Sequence, residues 1–80
     1  MGDFMNKEKH LEIYKQLGLN INYYRRKKDY TQMELAEIID VDFTHISRIE
    51  LCKSAASLDV IFDIANALEI PVSKLFEIRD

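Results

Sequence analysis

Residues 31–50 constrain the fold most, because they hold two short helical patterns with almost no chain between them. The first pattern covers residues 32–39 and the second covers residues 43–51, and in each the apolar residues return at the spacing of one helix face. The three residues between the two patterns leave room only for a turn. Two short helices that share a small core and meet at a steep angle predict a helix-turn-helix.

Both predicted helices carry signals for their first residue. Thr31 is followed three residues later by Glu34, which fits a capping box, in which each side chain binds the backbone N–H of the other residue. Asp42 stands where an N-cap would accept a hydrogen bond from the free N–H groups of the second helix. The predicted helices therefore begin directly after Thr31 and Asp42.

Residues 31–50 read TQMELAEIIDVDFTHISRIE, and the pattern TQxxLAxxxxVxxxxISxIE within them resembles the helix-turn-helix of the Cro and phage-repressor type, the XRE family. The resemblance extends from about Leu17 to Phe76, which is most of the chain. It implies an all-α, compact, five-helix lambda-repressor-like domain with the helix-turn-helix at helices 2 and 3. It also implies a transcriptional regulator that binds double-stranded DNA in a sequence-specific way.

A long helical pattern precedes the pair, over residues 7–28, with apolar residues at spacings of three and four: Leu11, Tyr14, Leu17, Ile21 and Tyr24. We expect one long helix, with a separate short helix over residues 7–16 as the alternative. Gly18 predicts either a break or a close contact, because glycine costs about 1 kcal/mol relative to alanine inside a helix. Residues 1–6 are expected to be frayed.

Two further helical patterns follow the pair. Ser57 is a predicted N-cap for a helix that ends at Leu68, with an apolar set of Leu58, Ile61, Ile64, Ala65 and Leu68. Pro71 fits the start of a last short helix over residues 72–78, in which Leu75 and Phe76 would close the core. No strand alternation or linker is visible, so we expect one all-α domain over residues 7–80, with a family core of about 17–76.

The net charge of −3 is mildly unfavourable for binding nucleic acid. The charges are unevenly spread, because residues 1–31 carry seven Lys/Arg against four acids, whereas residues 32–56 and 57–80 each carry two against five. An acidic domain can still present a basic stripe, so this balance lowers the expected DNA affinity without excluding it.

The sequence disfavours several other classes of protein. No apolar run approaches the roughly 20 residues of a membrane span, and the N-terminus lacks the pattern of a signal peptide. Cys52 is the one cysteine and cannot form an internal disulfide, so a cytoplasmic location is expected. His10 and His45 have no cysteine or acid at metal-ligand spacing. We therefore expect no enzyme activity, no metal, no cofactor and no membrane partner.

The second helix of the pair provides the predicted base contacts. With Ile46 and Ile49 facing inward, a rotation of about 100° per residue turns Thr44, His45 and Arg48 outward. The base-reading positions of the family correspond here to Phe43, Thr44, His45 and Arg48. Arg48 can bridge O6 and N7 of a guanine, and Phe43 or the Thr44 methyl can pack on a thymine methyl. The alternatives are a core role for Phe43 and a surface position without function for His45.

Polar and basic residues nearby are predicted to contact the DNA backbone: Gln32, Arg26, Lys27, Lys28, Ser47 and Lys53. Gln32 matches the phosphate-binding glutamine of the family, and it opens a helix whose free N–H groups also suit a phosphate. Residues 24–28 are the one basic run, whose charge would bind phosphate without reading sequence. A solvated helix end is the alternative for this run, and Ser47 could simply bond within its own helix.

Arg25 and Glu50 are predicted to form an ion pair. In the family, the arginine at this position binds the glutamate that ends the recognition helix, and the letters IE after IS match that glutamate to Glu50. The pair would tie the first helix to the third. Two separately solvated charges are the alternative.

The loop after Glu50 departs from the family pattern, which usually has a glycine at Cys52 and often a proline at Ala56. Glycine supplies a left-handed helix end, which cysteine adopts less readily. Either the loop therefore differs or the helix runs on. Cys52 itself is expected to be a half-buried small residue rather than a redox or metal site.

The leading hypothesis is a regulator that binds a two-fold operator as a homodimer through the major groove. Apolar residues predict the dimer surface, mainly in the C-terminal helix with a second contribution from the N-terminal segment: Leu75, Phe76 and Ile78, then Phe4, Leu11, Ile13 and Tyr14. The alternative is a protein-interaction module, such as an antitoxin or an anti-repressor partner. The acidic balance and the departures at Cys52 and Asp42 favour that alternative more strongly than the sequence of a typical family member would.

Overall fold

The computed structural model describes residues 7–78, which contain no β-strand. Four α-helices are followed by one 3₁₀-helix: α1 (Lys7–Lys27), α2 (Gln32–Ile39), α3 (Phe43–Glu50), α4 (Leu58–Leu68) and the 3₁₀-helix Val72–Phe76. The all-α class is confirmed, but the fifth predicted helix is a 3₁₀ segment rather than an α-helix to residue 78. The predicted frayed segment, residues 1–6, and the predicted dimer residue Phe4 lie outside the described residues.

Side-chain caps set the start of two helices. At α2, Thr31 Oγ1 accepts a hydrogen bond from the Glu34 N–H at 3.0 Å, and Glu34 Oε1 accepts one from the Thr31 N–H at 2.8 Å. At α4, Ser57 Oγ accepts a hydrogen bond from the Val60 N–H at 3.2 Å. Both predicted caps are confirmed, since each satisfies N–H groups that have no partner inside the helix.

The predicted cap of α3 is only half correct. Asp42 occupies the N-cap position with an extended backbone, but its side chain makes no capping hydrogen bond. Its carbonyl oxygen instead accepts the His45 N–H at 2.9 Å. The Asp42 side chain is exposed, so water can solvate its carboxylate without help from the helix.

The first helix extends over most of the predicted range, but it is not continuous, because it is kinked at His10, where φ is −120° and ψ is 23°. Gly18 does not break it. A Cβ atom placed on Gly18 would lie 2.7 Å from the carbonyl oxygen of Glu50 and 2.9 Å from that of Ile49. The close-contact interpretation of this glycine is therefore correct, because α1 and the end of α3 approach too closely for a side chain.

One core joins all of the described helices, and its members are Leu17, Ile21, Leu35, Ala36, Ile46, Ile49, Ile61, Ile64, Ala65, Leu68 and Leu75. Leu58 is in the predicted apolar set of α4, but it is 66% exposed, so the buried face of α4 begins at Ile61. Of the two residues predicted to close the core, Phe76 is 43% exposed and Leu75 is fully buried. Leu75 was also predicted in the dimer surface, which is wrong because the monomer core already covers it.

A buried asparagine holds the C-terminal segment against α1. Asn20 is fully buried, and its Nδ2 donates hydrogen bonds to the carbonyl oxygens of Leu75 at 3.0 Å and Glu77 at 2.8 Å. These bonds fix the 3₁₀-helix beside α1, where Leu75 enters the core. Among the described helices, none has the combination of length and apolar character needed to cross a bilayer.

Candidate nucleic-acid interface

One side of α3 is anchored and the other side faces solvent. Ile46 and Ile49 are almost completely buried, while Phe43, Thr44 and Arg48 are exposed. The exposed fraction of Phe43 is 44%, so the core role considered for it is wrong. His45 and Ser47 are half-buried, which leaves them less available to a partner than their neighbours.

Arg48 projects from α3 beside the loop that follows it. Its Nη2 donates a long hydrogen bond of 3.4 Å to the carbonyl oxygen of Lys53. A guanidinium carries five N–H donors in a planar fork, so this single bond leaves most of them available. The Lys53 side chain is also exposed, and the structure therefore brings two cations to this end of α3.

Glu50, the last residue of α3, accepts hydrogen bonds from three side chains. Arg25 makes a two-point contact, with Nε 2.7 Å from Oε2 and Nη2 3.1 Å from Oε1. Asn22 Nδ2 and Gln32 Nε2 each lie 3.0 Å from Oε1. The side chains of Arg25 and Glu50 are 10% and 4% exposed, so the predicted pair is present and is not solvated.

Glu50 is held in its charged form. Burial raises the pKa of this carboxyl group, but the hydrogen bonds from Arg25, Asn22 and Gln32 outweigh that effect, and the pKa lies below its ordinary value of 4.5. Arg25 also donates from Nη1 to the carbonyl oxygen of Tyr30 at 2.7 Å. One buried charge network thus connects α1, α2 and the end of α3.

Gln32 lies at the start of α2, as predicted, but its amide faces the protein. Because Nε2 donates to Glu50, a phosphate contact from this amide requires a rotation that gives up that bond. The free N–H groups of the first turn of α2 can meet a phosphate without any such change.

The basic run at the end of α1 divides into buried, paired and exposed charges. Arg25 is buried, whereas Arg26 and Lys27 are exposed, with Lys27 Nζ 5.7 Å from the centre of the Tyr23 ring. Lys28 forms an ion pair with Glu69 at the end of α4. The hydrogen bond from Lys28 to Glu69 raises the pKa of Lys28 and lowers that of Glu69. Lys28 therefore offers less net positive charge to DNA than Arg26 or Lys27.

Cys52 takes the left-handed conformation that the family usually gives to glycine, with φ of 62°. Helix α3 ends at Glu50, so the alternative in which the helix runs on is wrong. The Cys52 N–H donates to the Ile49 carbonyl oxygen at 3.1 Å, and the Lys53 N–H donates to that of Arg48 at 2.7 Å. Cys52 is half-buried, as expected.

The sequence prediction did not include Asn20 or Asn22, although their spacing carried a signal. Asn20 follows the buried Leu17 by three residues and so falls on the inner face of α1. Asn22 precedes Arg25 by three residues, which lets both side chains reach the same partner. Within residues 7–78, no group of three or more His, Cys, Asp or Glu side chains could hold a metal ion.

Comparison with known families and structures agrees with this architecture. Residues 21–75 match the family described as Helix-turn-helix. The hypothetical transcription factor NHTF from Neisseria is 26% identical, with a TM-score of 0.80 over 85% of this chain and 78% of that chain. None of the curated proteins matches.

Two further solved structures are similar. The restriction-modification controller protein C.AhdI from Aeromonas hydrophila is 27% identical, with a TM-score of 0.76 over 79% of this chain and 96% of that chain. The clp gene regulator ClgR from Corynebacterium glutamicum is 25% identical, with a TM-score of 0.76 over 79% of this chain and 67% of that chain.

Proposed function

The chain belongs to the XRE-type helix-turn-helix family of DNA-binding transcription regulators, and we propose that it binds a two-fold operator as a homodimer, with α3 in the major groove. The observation that supports this proposal most is the orientation of α3 in the fold. Its inner face is fixed by the core and its end by Glu50, while Phe43, Thr44 and Arg48 are exposed on the other side.

The proposed contacts fall into two groups with different consequences. Base edges are read by Phe43, Thr44, His45 and Arg48, of which Arg48 has the donors to bridge a guanine. The DNA backbone is contacted by Gln32, Arg26, Lys27, Lys28, Ser47 and Lys53. Backbone contacts set affinity and register, and base contacts set the preferred sequence.

Arg48 and Arg26 provide a matched test, because both are exposed and only Arg48 lies on α3, whereas Arg26 lies near the end of α1. A preferred site is first selected from a random DNA pool, and binding to this site and to its single-base variants is then measured across a salt series. We expect Arg48→Ala to cost about 1–3 kcal/mol on the preferred site and to relax base preference at one position in each half-site. We expect Arg26→Ala to weaken every variant equally and to lower the salt slope by about one unit.

The outcomes separate the possible arrangements. A uniform loss with Arg48→Ala would make Arg48 a backbone contact and would change the register proposed for α3. Selection that enriches no sequence, or a selected site whose binding neither substitution changes, would contradict operator binding. It would favour the protein-interaction alternative, in which the same fold binds a protein first.

A further inference from the structure

A surface cleft of about 410 Å³ lies between the end of α2 and the second half of α4. The last two residues of α2, the C-cap that follows them and three residues of α4 line it: Ile38, Ile39 and Asp40, then Asp63, Asn66 and Ala67. No residue of α3 and none of the proposed DNA contacts is among them. A partner in this cleft would therefore meet a different surface from the one proposed for DNA.

The wall of the cleft is partly apolar. Ile38 lines it and is 52% exposed, and the half-buried Ile39 and Ala67 line it as well. Apolar area of this kind, with a polar rim, is typical of a surface that another molecule covers.

The rim is acidic and lacks cations. Asp40 and Asp63 line the cleft, and Glu37 and Asp59 lie one turn away on α2 and α4. Residues 32–47 and 54–73, which hold both helices, contain seven acids and no Lys or Arg. These charges would repel a phosphate backbone, and two copies meeting through this face would set acid against acid.

We propose that this cleft binds a cationic amphipathic segment of another protein, with an apolar side chain packed on Ile38 and Lys or Arg side chains facing Asp40 and Asp63. A partner that is both apolar and cationic complements this surface, because its apolar side chain becomes buried and its Lys or Arg side chains face Asp40 and Asp63. The inference does not depend on DNA binding by α3.

The test uses a synthetic helical peptide of leucine and lysine with amphipathic spacing, and its counterpart of leucine and glutamate. Affinity for the folded chain is measured by calorimetry at physiological salt. We expect the lysine peptide to bind and the glutamate peptide not to bind. We expect Asp63→Lys to weaken the lysine peptide about tenfold, and Ile38→Ala to weaken it severalfold.

Matched controls for both substitutions lie outside the cleft, the proposed DNA contacts and the proposed dimer surface. Asp29→Lys changes the net charge as Asp63→Lys does, and Asp29 is exposed. Leu19→Ala removes a side chain that is 57% exposed, close to the 52% of Ile38. We expect these controls to keep the wild-type affinity. Equal losses in the control and cleft variants would mean general charge attraction and would overturn the proposal, as would binding of the glutamate peptide.

Discussion

At the scale of single residues, Gly18 sets the distance between α1 and α3. The carbonyl oxygens of Ile49 and Glu50 lie where a Cβ atom would stand, and they belong to backbone, which cannot move aside as a flexible side chain can. The glycine is thus required by packing, although it weakens the helix that contains it.

We expect Gly18→Ala to destabilise the protein by about 1 kcal/mol or more, because the cost of overpacking exceeds the gain in helix propensity. Urea unfolding of the wild type and the variant measures this change. Leu19→Ala is the control, since Leu19 is the next residue of α1 and is 57% exposed, so it should have little effect. A Gly18→Ala variant as stable as the wild type would show that the two helices have room to separate.

At the scale of elements, the end of α3 depends on one buried carboxylate. Glu50 accepts hydrogen bonds from Arg25 of α1 and Gln32 of α2, so the three helices meet at a single carboxylate. Removing either partner of a buried pair leaves the other charge without compensation, which costs more than the pair itself contributes.

We expect Glu50→Ala and Arg25→Ala each to cost about 3–5 kcal/mol of unfolding free energy, a large part of the 5–15 kcal/mol typical of a domain. Urea unfolding is again the measurement, and Glu37→Ala, an exposed acid on α2, is the control. Losses below about 1 kcal/mol in both variants would show a pair that water screens.

The same carboxylate predicts how stability depends on pH. Because the pKa of Glu50 is lowered in the folded state, its contribution is present above the ordinary value of 4.5 and is lost as pH falls through the folded-state pKa. Stability should therefore fall on acidification below about pH 4.5, and Glu50→Gln should flatten that dependence. Urea unfolding at several pH values measures both.

Glu69 is the control for this pH experiment. Its pKa is also lowered, by the hydrogen bond and charge of Lys28, but its side chain is 74% exposed. We expect Glu69→Gln to keep most of the acid dependence, because water screens an exposed pair. A wild-type slope that persists in Glu50→Gln would assign the dependence to other carboxyl groups.

The helices were predictable from sequence wherever a local signal fixed them. The capping box at Thr31 and the N-cap at Ser57 depend only on neighbouring residues in the chain. The first residues of α2 and α4 were therefore predictable from the sequence. Tertiary features were harder to predict. The burial of Leu75 and the exposure of Leu58 depend on which helices meet, and hydropathy does not report this.

At the scale of the whole molecule, the residues predicted for a dimer surface divide into two groups. Leu75 is fully buried, but Phe76 is 43% and Ile78 is 80% exposed. Both line a cleft of about 220 Å³ with Glu12, Ile13 and Gln16 of α1. The proposed two-fold contact therefore involves the side of α1 as well as the C-terminal segment.

We expect Ile78→Asp to weaken self-association, because it places a charge in an apolar contact. Sedimentation at micromolar concentration, with and without DNA, measures the change in assembly. Leu58→Asp is the control, since Leu58 is 66% exposed and lies outside this cleft. A wild-type chain that sediments only as a monomer under both conditions would contradict the homodimer.

The sequence predicted which side of α3 is exposed at the candidate site, but it did not predict the side-chain partners of Gln32 and Lys28. Helical periodicity predicts that Thr44, His45 and Arg48 face outward once Ile46 and Ile49 face inward. Thr44 and Arg48 are exposed as predicted, whereas His45 is half-buried. The side-chain partners do not follow from periodicity. The bonds of Gln32 to Glu50 and of Lys28 to Glu69 join residues far apart in the chain, and they engage groups that sequence reasoning assigned to DNA.

The way α3 is held has a consequence for how such a chain can change during evolution. Stability depends on the inner isoleucines and on Glu50, whereas Phe43, Thr44 and Arg48 make little contact with the core. Substitutions at these three positions can accumulate with little loss of folding, because exposed helix positions tolerate most residues. A duplicated copy could therefore acquire a new target while retaining its fold, one outward residue at a time.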